Sequence, residues 1–167
     1  NLAADTGQML WKYQANGAIA AGPVLADNTL YFGALDGVVY ALDAGSGQEK
    51  WTFATADWIM NPPVVYDGTL YVGSLDHKIY ALDPANGTKK WEFEAAGEVV
   101  AAPALSGNLL YVGARGGTLY AVDINTGNAR WQLTTTGDIV TSPQITGETV
   151  YVVDLNGQVS AINATDG

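Results

Sequence analysis

The chain has 167 residues, of which 48% are hydrophobic and 14% are charged, and its net charge is −10. The length fits one domain, and the apolar fraction excludes a disordered tail. The acidic balance argues against a nucleic-acid partner and an anionic membrane surface, because both require a basic footprint. No apolar run approaches the about 18 residues that span a bilayer, so no membrane insertion is predicted. The absence of cysteine excludes disulfides, thiolate metal sites and thiol nucleophiles.

Five sets of identical residues recur every 40 positions without a gap. A period of this length indicates a solenoid, a propeller or an array. The runs between these positions are too short for amphipathic helices and are rich in Val, Ile, Tyr and Trp, which favours strands. The five sets are Gly7, Gly47, Gly87, Gly127 and Gly167; Trp11, Trp51, Trp91 and Trp131; Pro23, Pro63, Pro103 and Pro143; Tyr31, Tyr71, Tyr111 and Tyr151; and Ala41, Ala81, Ala121 and Ala161.

The first complete repeat predicts four strands. Between the second and third, Asp36-Gly37 suits a two-residue type I′ hairpin, whereas the second repeat has His77 at the glycine position, where a positive φ has a cost. Four antiparallel strands in each repeat form the blade of a β-propeller, so we predict an all-β propeller with four such blades per chain. The predicted strands of the first repeat cover residues 18–26, 29–33, 38–42 and 48–54.

One longer motif recurs within these repeats. The segment from Tyr40 to Trp51 has the spacing A-x-D-x-x-x-G-x-x-x-W, which recurs at residues 80–91 and 120–131. It resembles the tryptophan-docking motif of pyrroloquinoline-quinone-type (PQQ-like) repeats, and the resemblance covers essentially the whole chain. The family implies a propeller, usually of seven or eight blades. Its members include quinoprotein dehydrogenases and the propeller lipoprotein of the bacterial outer-membrane assembly machinery, so the repeat specifies a fold and not an activity.

The motif has a physical role of its own. Each repeated tryptophan is predicted to lie between neighbouring blades, where its indole N–H needs an acceptor such as a backbone carbonyl of the next blade. Asp43, Asp83 and Asp123 open the turn before the glycine, and we expect them to accept backbone N–H bonds there. A calcium-binding loop is the alternative. The docking tryptophans are Trp11, Trp51, Trp91 and Trp131.

The ends of the chain do not match one simple ring. A single propeller domain covers residues 1–167, but its fourth blade lacks the outer strand, which residues 8–15 can supply. Residues 1–7 have the same repeat phase as residues 161–167, so one of these two copies is surplus. The predicted blades are 17–54, 57–94, 97–134, and 137–167 completed by 8–15.

Three arrangements agree with this count. One chain can close as a four-bladed ring, two chains can exchange outer strands in an eight-bladed ring, or the chain is half of a longer propeller. Four blades require about twice the angle between neighbours that eight require, and open blades expose strand edges and apolar faces that invite association. We therefore favour a homodimer that forms an eight-bladed ring by exchange of terminal strands.

The candidate binding residues are those that vary between repeats in the loops of one face. Trp58 is the one tryptophan outside the docking series, and beside Asp57 it is a candidate hot spot. The alternative is a local plug against Met60 and Pro62. The single histidine, His77, is interpreted as a turn residue, with metal binding as the alternative. The candidates are Asp57, Trp58, Asp76, His77, Lys78, Glu98, Arg115, Asp138, Asp154 and Asn156.

No catalytic or metal-ligating set is predicted, because the inner strands are small or apolar and bring no acids and bases together. Quinoprotein members of the family hold the quinone with calcium, a vicinal disulfide and a catalytic Asp, and without cysteine the disulfide is impossible here. No nucleophile-elbow, P-loop or zincin motif occurs. We therefore predict neither enzyme activity nor a cofactor, with PQQ and calcium as the alternative.

The function that these features favour is a non-catalytic scaffold or binding module for a protein, a peptide or a surface polymer. Its acidic field favours basic partners or multivalent cations. The alternatives are a small-ligand or PQQ-binding quinoprotein-like sensor or enzyme fragment, and a purely structural repeat, natural or engineered, that assembles by strand exchange. Low charge, abundant Ala, Gly, Thr and Asn, and the family resemblance favour a periplasmic or extracellular location.

Overall fold

The computed structural model describes residues 6–167 and places four antiparallel sheets, without helices, at the expected period. Residues 1–5 of the predicted repeat copy at residues 1–7 lie outside the described residues. The all-β propeller prediction is confirmed.

The first sheet contains β1 (Val24–Ala26), β2 (Thr29–Gly33), β3 (Val38–Asp43) and β4 (Glu49–Ala54). The second contains β5 (Val64–Tyr66), β6 (Thr69–Gly73), β7 (Lys78–Leu82) and β8 (Lys89–Glu94). The third contains β9 (Ala104–Ser106), β10 (Leu109–Ala114), β11 (Thr118–Asp123) and β12 (Ala129–Thr134), and the fourth contains β13 (Gln144–Thr146), β14 (Thr149–Val153) and β15 (Val159–Asn163).

The innermost strand of each blade is shorter than predicted. In every repeat it begins directly after the repeated proline, so β1 starts after Pro23 instead of at residue 18. Proline has no N–H to donate to a ladder, and this explains where the pairing begins. The residues before it are held differently: the N–H of Leu35 in the hairpin tip donates to the carbonyl of Ala18 at 2.8 Å.

The hairpin turns also differ from the prediction. At Asp36-Gly37 only Gly37 has a positive φ, of 76°, so the type I′ turn predicted there is wrong. Asp36 instead accepts the N–H of Val38 at 3.1 Å. Two successive positive φ values occur one hairpin earlier, at Asp27 (44°) and Asn28 (56°). His77 has the positive φ expected of it, 73°.

The core lies between consecutive blades. In each interface the face of one blade that carries the repeated tyrosine and alanine packs on a face of the next blade that carries aliphatic residues. We call these the tyrosine face and the aliphatic face. In the first blade the tyrosine face contains Tyr31, Val39 and Ala41, and in the second blade the aliphatic face contains Leu70, Val72 and Leu82.

Each docking tryptophan ties its blade to the next one. Trp51 donates its indole N–H to the carbonyl of Pro84 at 3.0 Å, so the hydrogen bond expected of the indole is present. The ring also lies against the repeated glycine of the next blade, because a Cβ on Gly87 would fall 2.6 Å from it. The other three bonds run from Trp11 to Ala44 (3.0 Å), from Trp91 to Ile124 (2.8 Å) and from Trp131 to Ala164 (3.2 Å).

The amino-terminal segment lies on the first blade and not on the fourth. Trp11 docks on that blade, and the ring of Tyr13 contacts Phe32 with centroids 6.3 Å apart. Within residues 6–167 the fourth sheet has three strands, in the order β13-β14-β15. One chain therefore does not complete its own fourth blade with residues 8–15, and that completion stays a prediction for a second chain.

The aspartates of the docking turns accept backbone N–H groups, as expected. Asp123 accepts the N–H groups of Asn125 at 3.0 Å and Thr126 at 3.1 Å, and it forms an ion pair with Arg130 at 2.8 Å. The hydrogen bond from the Arg130 guanidinium and the two backbone bonds hold the pKa of Asp123 below its ordinary value. The carboxylate thus stabilises the turn in its charged form.

Replacement of a docking tryptophan should be much more destabilising than replacement of the exposed one. We expect Trp51→Ala, a side chain 9% exposed, to lower the free energy of unfolding by about 3–5 kcal/mol, through lost burial and a lost hydrogen bond. The matched control Trp58→Ala removes a side chain that is 50% exposed and should cost no more than about 0.5 kcal/mol. Urea denaturation followed by circular dichroism measures both, and equal losses would contradict the docking role.

The docking turn should also be sensitive to acid. Because the pKa of Asp123 is lowered in the folded protein, its carboxylate stabilises the fold fully above the ordinary Asp pKa of about 3.9. This stabilisation is lost as the pH falls through the pKa that Asp123 has in the folded protein. Asp123→Ala should therefore be less stable than wild type at pH 7, and the gap should narrow below about pH 4. Urea denaturation across pH measures this, with Glu148→Ala in an exposed turn as the control. A gap that is constant with pH would refute the charged-turn account.

Candidate functional site

The structure brings two loops of the second blade into one cluster. The connection that enters the blade (residues 55–58) and its hairpin tip (residues 74–77) are joined by hydrogen bonds. The N–H of Leu75 donates to the carbonyl of Trp58 at 2.9 Å, and the Ser74 hydroxyl donates to the carbonyl of Asp57 at 3.0 Å. Equivalent bonds join the two loops in the other blades, which places these loops on one face. We call it the loop face.

Trp58 is held at the surface of this cluster. The next residue, Ile59, is fully buried, and a Cβ on Gly33 of the first blade would lie 2.0 Å from its Cγ2 atom. This contact anchors the connection and leaves Trp58 50% exposed. Asp57, whose carboxylate accepts the N–H of Trp58 at 2.7 Å, and His77 in the hairpin tip are also exposed. The cluster therefore presents an aromatic ring, a carboxylate and an imidazole on loops fixed by backbone hydrogen bonds.

Three of the other candidates form ion pairs. Arg115 and Glu98 contact each other across the two loops of the third blade, with nitrogen and oxygen 2.5 Å apart. Lys78 pairs with Glu92 on β8 at 2.7 Å, and this hydrogen bond raises the pKa of Lys78. The Lys78 ammonium is thus directed to the outer strand of its blade.

The remaining candidates are used inside the loop face. Asp154 is only 5% exposed; it accepts the Thr136 hydroxyl at 2.7 Å and the N–H of Gly137 at 3.0 Å. The pKa of Asp154 is lowered mainly by the hydrogen bond from the Thr136 hydroxyl, and backbone N–H groups contribute to the same effect. The other three make comparable bonds: Asp76 accepts the Tyr80 hydroxyl (2.6 Å), Asp138 accepts the N–H of Gly116 (2.9 Å), and Asn156 donates to the carbonyl of Thr136 (2.6 Å).

Sequence reasoning expected open blades to expose apolar faces but did not name the apolar residues at the two ends of the blade array. Leu155 and Val159 in the fourth blade are 65% and 68% exposed, and Leu25 in the first blade is 62% exposed. A groove of about 590 Å³ lies on the first blade, lined by Leu25, Phe32 and Leu42 among others. The signal was present in the repeat itself, since the counterparts of Val159 are fully buried in the other blades and those of Leu25 pack on the hydrophobic clusters.

The described residues do not fit a calcium–quinone site. Within residues 6–167 there is no group of three or more His, Asp or Glu side chains placed to hold a metal ion. The inner segment of the second blade contains buried Asn61, whose amide donates to the carbonyls of Gly73 at 3.1 Å and Val99 at 3.2 Å. Its Oδ1 atom has no partner among these residues. One amide oxygen falls far short of the six to eight oxygen ligands that calcium takes.

Solved structures share this fold. BamB from Moraxella catarrhalis is similar over 95% of this chain and 54% of its own, with a TM-score of 0.83 and 23% identity. The computationally designed Ika4 protein is similar over 95% and 99%, with a TM-score of 0.82 and 22% identity. The quinohemoprotein alcohol dehydrogenase from Comamonas testosteroni is similar over 89% and 34%, with a TM-score of 0.76 and 20% identity. The chain thus spans about half the length of BamB and a third of the dehydrogenase.

The likeness to these structures establishes the fold, whereas the family follows from the sequence. No curated protein matches the chain in sequence. Within residues 6–167 no helix has the length and hydropathy to cross a bilayer. The family model described as "Outer membrane protein assembly factor BamB" matches residues 1–104 and 95–167. Since these two matches cover the chain from end to end, it belongs to this family of PQQ-type repeat propellers.

Proposed function

We propose that the chain is a non-catalytic scaffold that binds a protein or peptide through Asp57, Trp58 and His77 on the loop face. The observation that carries this proposal is the half-exposed Trp58 on a loop anchored by buried Ile59. Tryptophan is enriched among the residues that dominate binding energy at protein interfaces. Trp58 belongs to none of the hydrophobic clusters that the described residues form.

The loops favour binding because they are already ordered. Three hydrogen bonds hold the connection against the hairpin tip: the carbonyls of Trp58 and Asp57 accept from the tip, and the N–H of Ala56 donates to the Asp76 carboxylate. A partner therefore does not have to order these loops, which reduces the entropic cost of association. The net charge of −10 would accelerate encounters with a basic partner, an effect that salt weakens.

The surroundings of His77 support a binding role over a catalytic one. A histidine base needs a nucleophile or a positioning group within hydrogen-bond reach. The neighbouring Asp76 carboxylate accepts bonds from Tyr80, Ala56 and Lys78 instead. Among the described residues, no hydrogen bond involves the imidazole, so we propose a contact residue without a role in acid–base chemistry.

The location that we propose is the periplasm or the cell exterior. The matching family model carries the name of an outer membrane protein assembly factor, which supports an envelope location. The low fraction of charged residues, 14%, and the absence of cysteine are compatible with it.

A displayed library of random peptides tests the binding role. We expect wild type to enrich peptides that carry Lys or Arg beside an apolar residue, with affinities then measured by fluorescence anisotropy. Trp58→Ala should weaken the enriched peptides at least about tenfold, which is about 1.4 kcal/mol, because it removes the exposed ring. His77→Ala should weaken them less, since the imidazole offers a smaller contact.

The matched control is Tyr66→Ala, which removes an aromatic side chain that is 38% exposed in the second blade but outside the loop face. Its peptide affinities should equal those of wild type. Affinities that survive both Trp58→Ala and His77→Ala would refute the role of the cluster and favour a purely structural repeat. A rise in Tm on addition of PQQ with calcium would favour the quinoprotein alternative.

A further inference from the structure

The tyrosine face of the fourth blade is uncovered. Val159 is 68% exposed, whereas the residues at the same position in the other three blades are 0% exposed. Tyr151 is 42% exposed, whereas the other repeated tyrosines are at most 2% exposed. The first three blades bury this face against a following blade, and within residues 6–167 the fourth has no following blade.

The aliphatic face of the first blade is uncovered in the same way. Ile19 is 51% exposed, whereas its counterparts in the other blades are fully buried. Leu25 is 62% exposed, whereas its counterparts are partly buried in the hydrophobic clusters. Residues 8–14 cover part of this face and leave the groove of about 590 Å³ beside Leu25.

These two faces are the two halves of the interface that the chain builds three times between its own blades. A partner that covers these faces with the same interface must contain the same repeat. A second copy of the chain contains it. We propose that two copies pair head to tail, each docking the tyrosine face of its fourth blade on the aliphatic face of the other's first blade. The two identical contacts close a ring of eight blades. This pairing is independent of the loop cluster at Trp58.

The amino-terminal segment already has the position of an outer strand. It lies on the first blade as β4 lies on the second, with Trp11 bonded to Ala44 where Trp51 is bonded to Pro84. In the complete blades each repeated alanine pairs with the repeated tryptophan. The same register sets Ala161 of one copy opposite Trp11 of the other, so β15 gains the neighbour that its sheet lacks.

The exposed tyrosine also has a matching acceptor. Tyr31 donates its hydroxyl to the carbonyl of Pro84 at 2.9 Å, and that carbonyl also accepts the indole N–H of Trp51. Tyr111 donates in the same way to Ala164, at 2.9 Å. Continued by one repeat, this geometry directs the Tyr151 hydroxyl to the Ala44 carbonyl of the second copy.

One position weakens the contact between copies. The fourth blade has Val153 where the others have glycine, and a Cβ on Gly113 would lie 2.2 Å from Ile139 of the next blade. Val153 therefore meets Ile19 of the second copy, and that side chain has to shift. This misfit gives a distinct expectation: Val153→Gly should strengthen the pairing by removing it.

The exposure of the two end faces favours a second copy over closure within one chain. A ring closed by one chain would bury the fourth blade against the first, but Val159 and Ile19 are 68% and 51% exposed. A four-bladed ring requires about twice the angle between neighbours of an eight-bladed one. Four blades set as they are here leave their end faces apart, and four more blades fill the gap.

Light scattering on a sizing column, over a range of protein and salt concentrations, tests the pairing. We expect a mass of about 35 kDa, twice the 17.5 kDa of one chain, and tighter pairing at high salt because each copy carries −10. Val159→Glu and Leu25→Glu, one on each face, should each return the mass to 17.5 kDa. Val153→Gly should keep the dimer together at protein concentrations at least about tenfold lower, a change of about 1.4 kcal/mol.

Tyr66→Glu is the matched control, because it places the same charge on an exposed apolar residue of an interior blade. It should pair as wild type does, and circular dichroism verifies that every variant is folded. A mass of 17.5 kDa for both wild type and Val153→Gly at all concentrations would overturn the proposal. So would a dimer that persists in both Val159→Glu and Leu25→Glu.

Engineered cysteines test the register and distinguish exchange from self-closure. The continued register sets Ser160 opposite Lys12, and directly opposed residues have Cα atoms about 4.5–5.5 Å apart, within disulfide range. In this cysteine-free chain, Lys12→Cys with Ser160→Cys should give a disulfide-linked dimer that separates on reduction. Thr52→Cys with Ser160→Cys, which uses the same repeat position on β4, should not. A bond formed within one chain would mean self-closure and would overturn the pairing of copies.

Discussion

A tryptophan that docks across the interface between consecutive blades links the units of this fold. In each repeat an indole N–H donates to a main-chain carbonyl of the following blade, while the ring lies on a glycine that no larger residue can replace without displacing it. Donor, ring surface and acceptor belong to two different blades, so no blade satisfies its own tryptophan. The constant length of the repeats follows from this dependence, because an insertion or deletion within one repeat would separate the indole from its carbonyl.

The loop face is free to vary because the docking contacts are elsewhere. The tryptophan, glycine and proline positions recur in every repeat because packing and backbone geometry require those residues. The connections and hairpin tips differ from blade to blade. The structure divides those variable residues further. Asp76 and Asp154 fasten one loop to another, while Trp58 and His77 remain exposed on loops that others hold in place. Substitutions in such a binding cluster should change the free energy of unfolding little, because its contact residues lie outside the packed interfaces between the blades.

The sequence predicted the repeat, the strands and the docking bonds because each depends on residues at fixed spacing. It did not predict which carboxylates are used internally, since a hairpin-tip aspartate that accepts backbone N–H groups is the same residue in the sequence as one that faces solvent. The turn at Asp36-Gly37 was wrong because an Asp side chain can accept the N–H of Val38 and so favour another turn. Exposed apolar faces were expected, but Val159 and Leu25 were not named, because exposure at the ends depends on which blade lies beside them.

The docking contact also determines how such a chain can change in length. Every interface joins the same two sets of positions, so one whole repeat can be duplicated or deleted as a block and the blades on either side of the junction still fit each other. Only the first and last units would meet an unfamiliar surface. Val153, the valine where the other units have glycine, stands on the last of them. A block that carries Val153 would fit less closely in the interior of the array than the other blocks, because its side chain would meet the isoleucine or valine of the next blade.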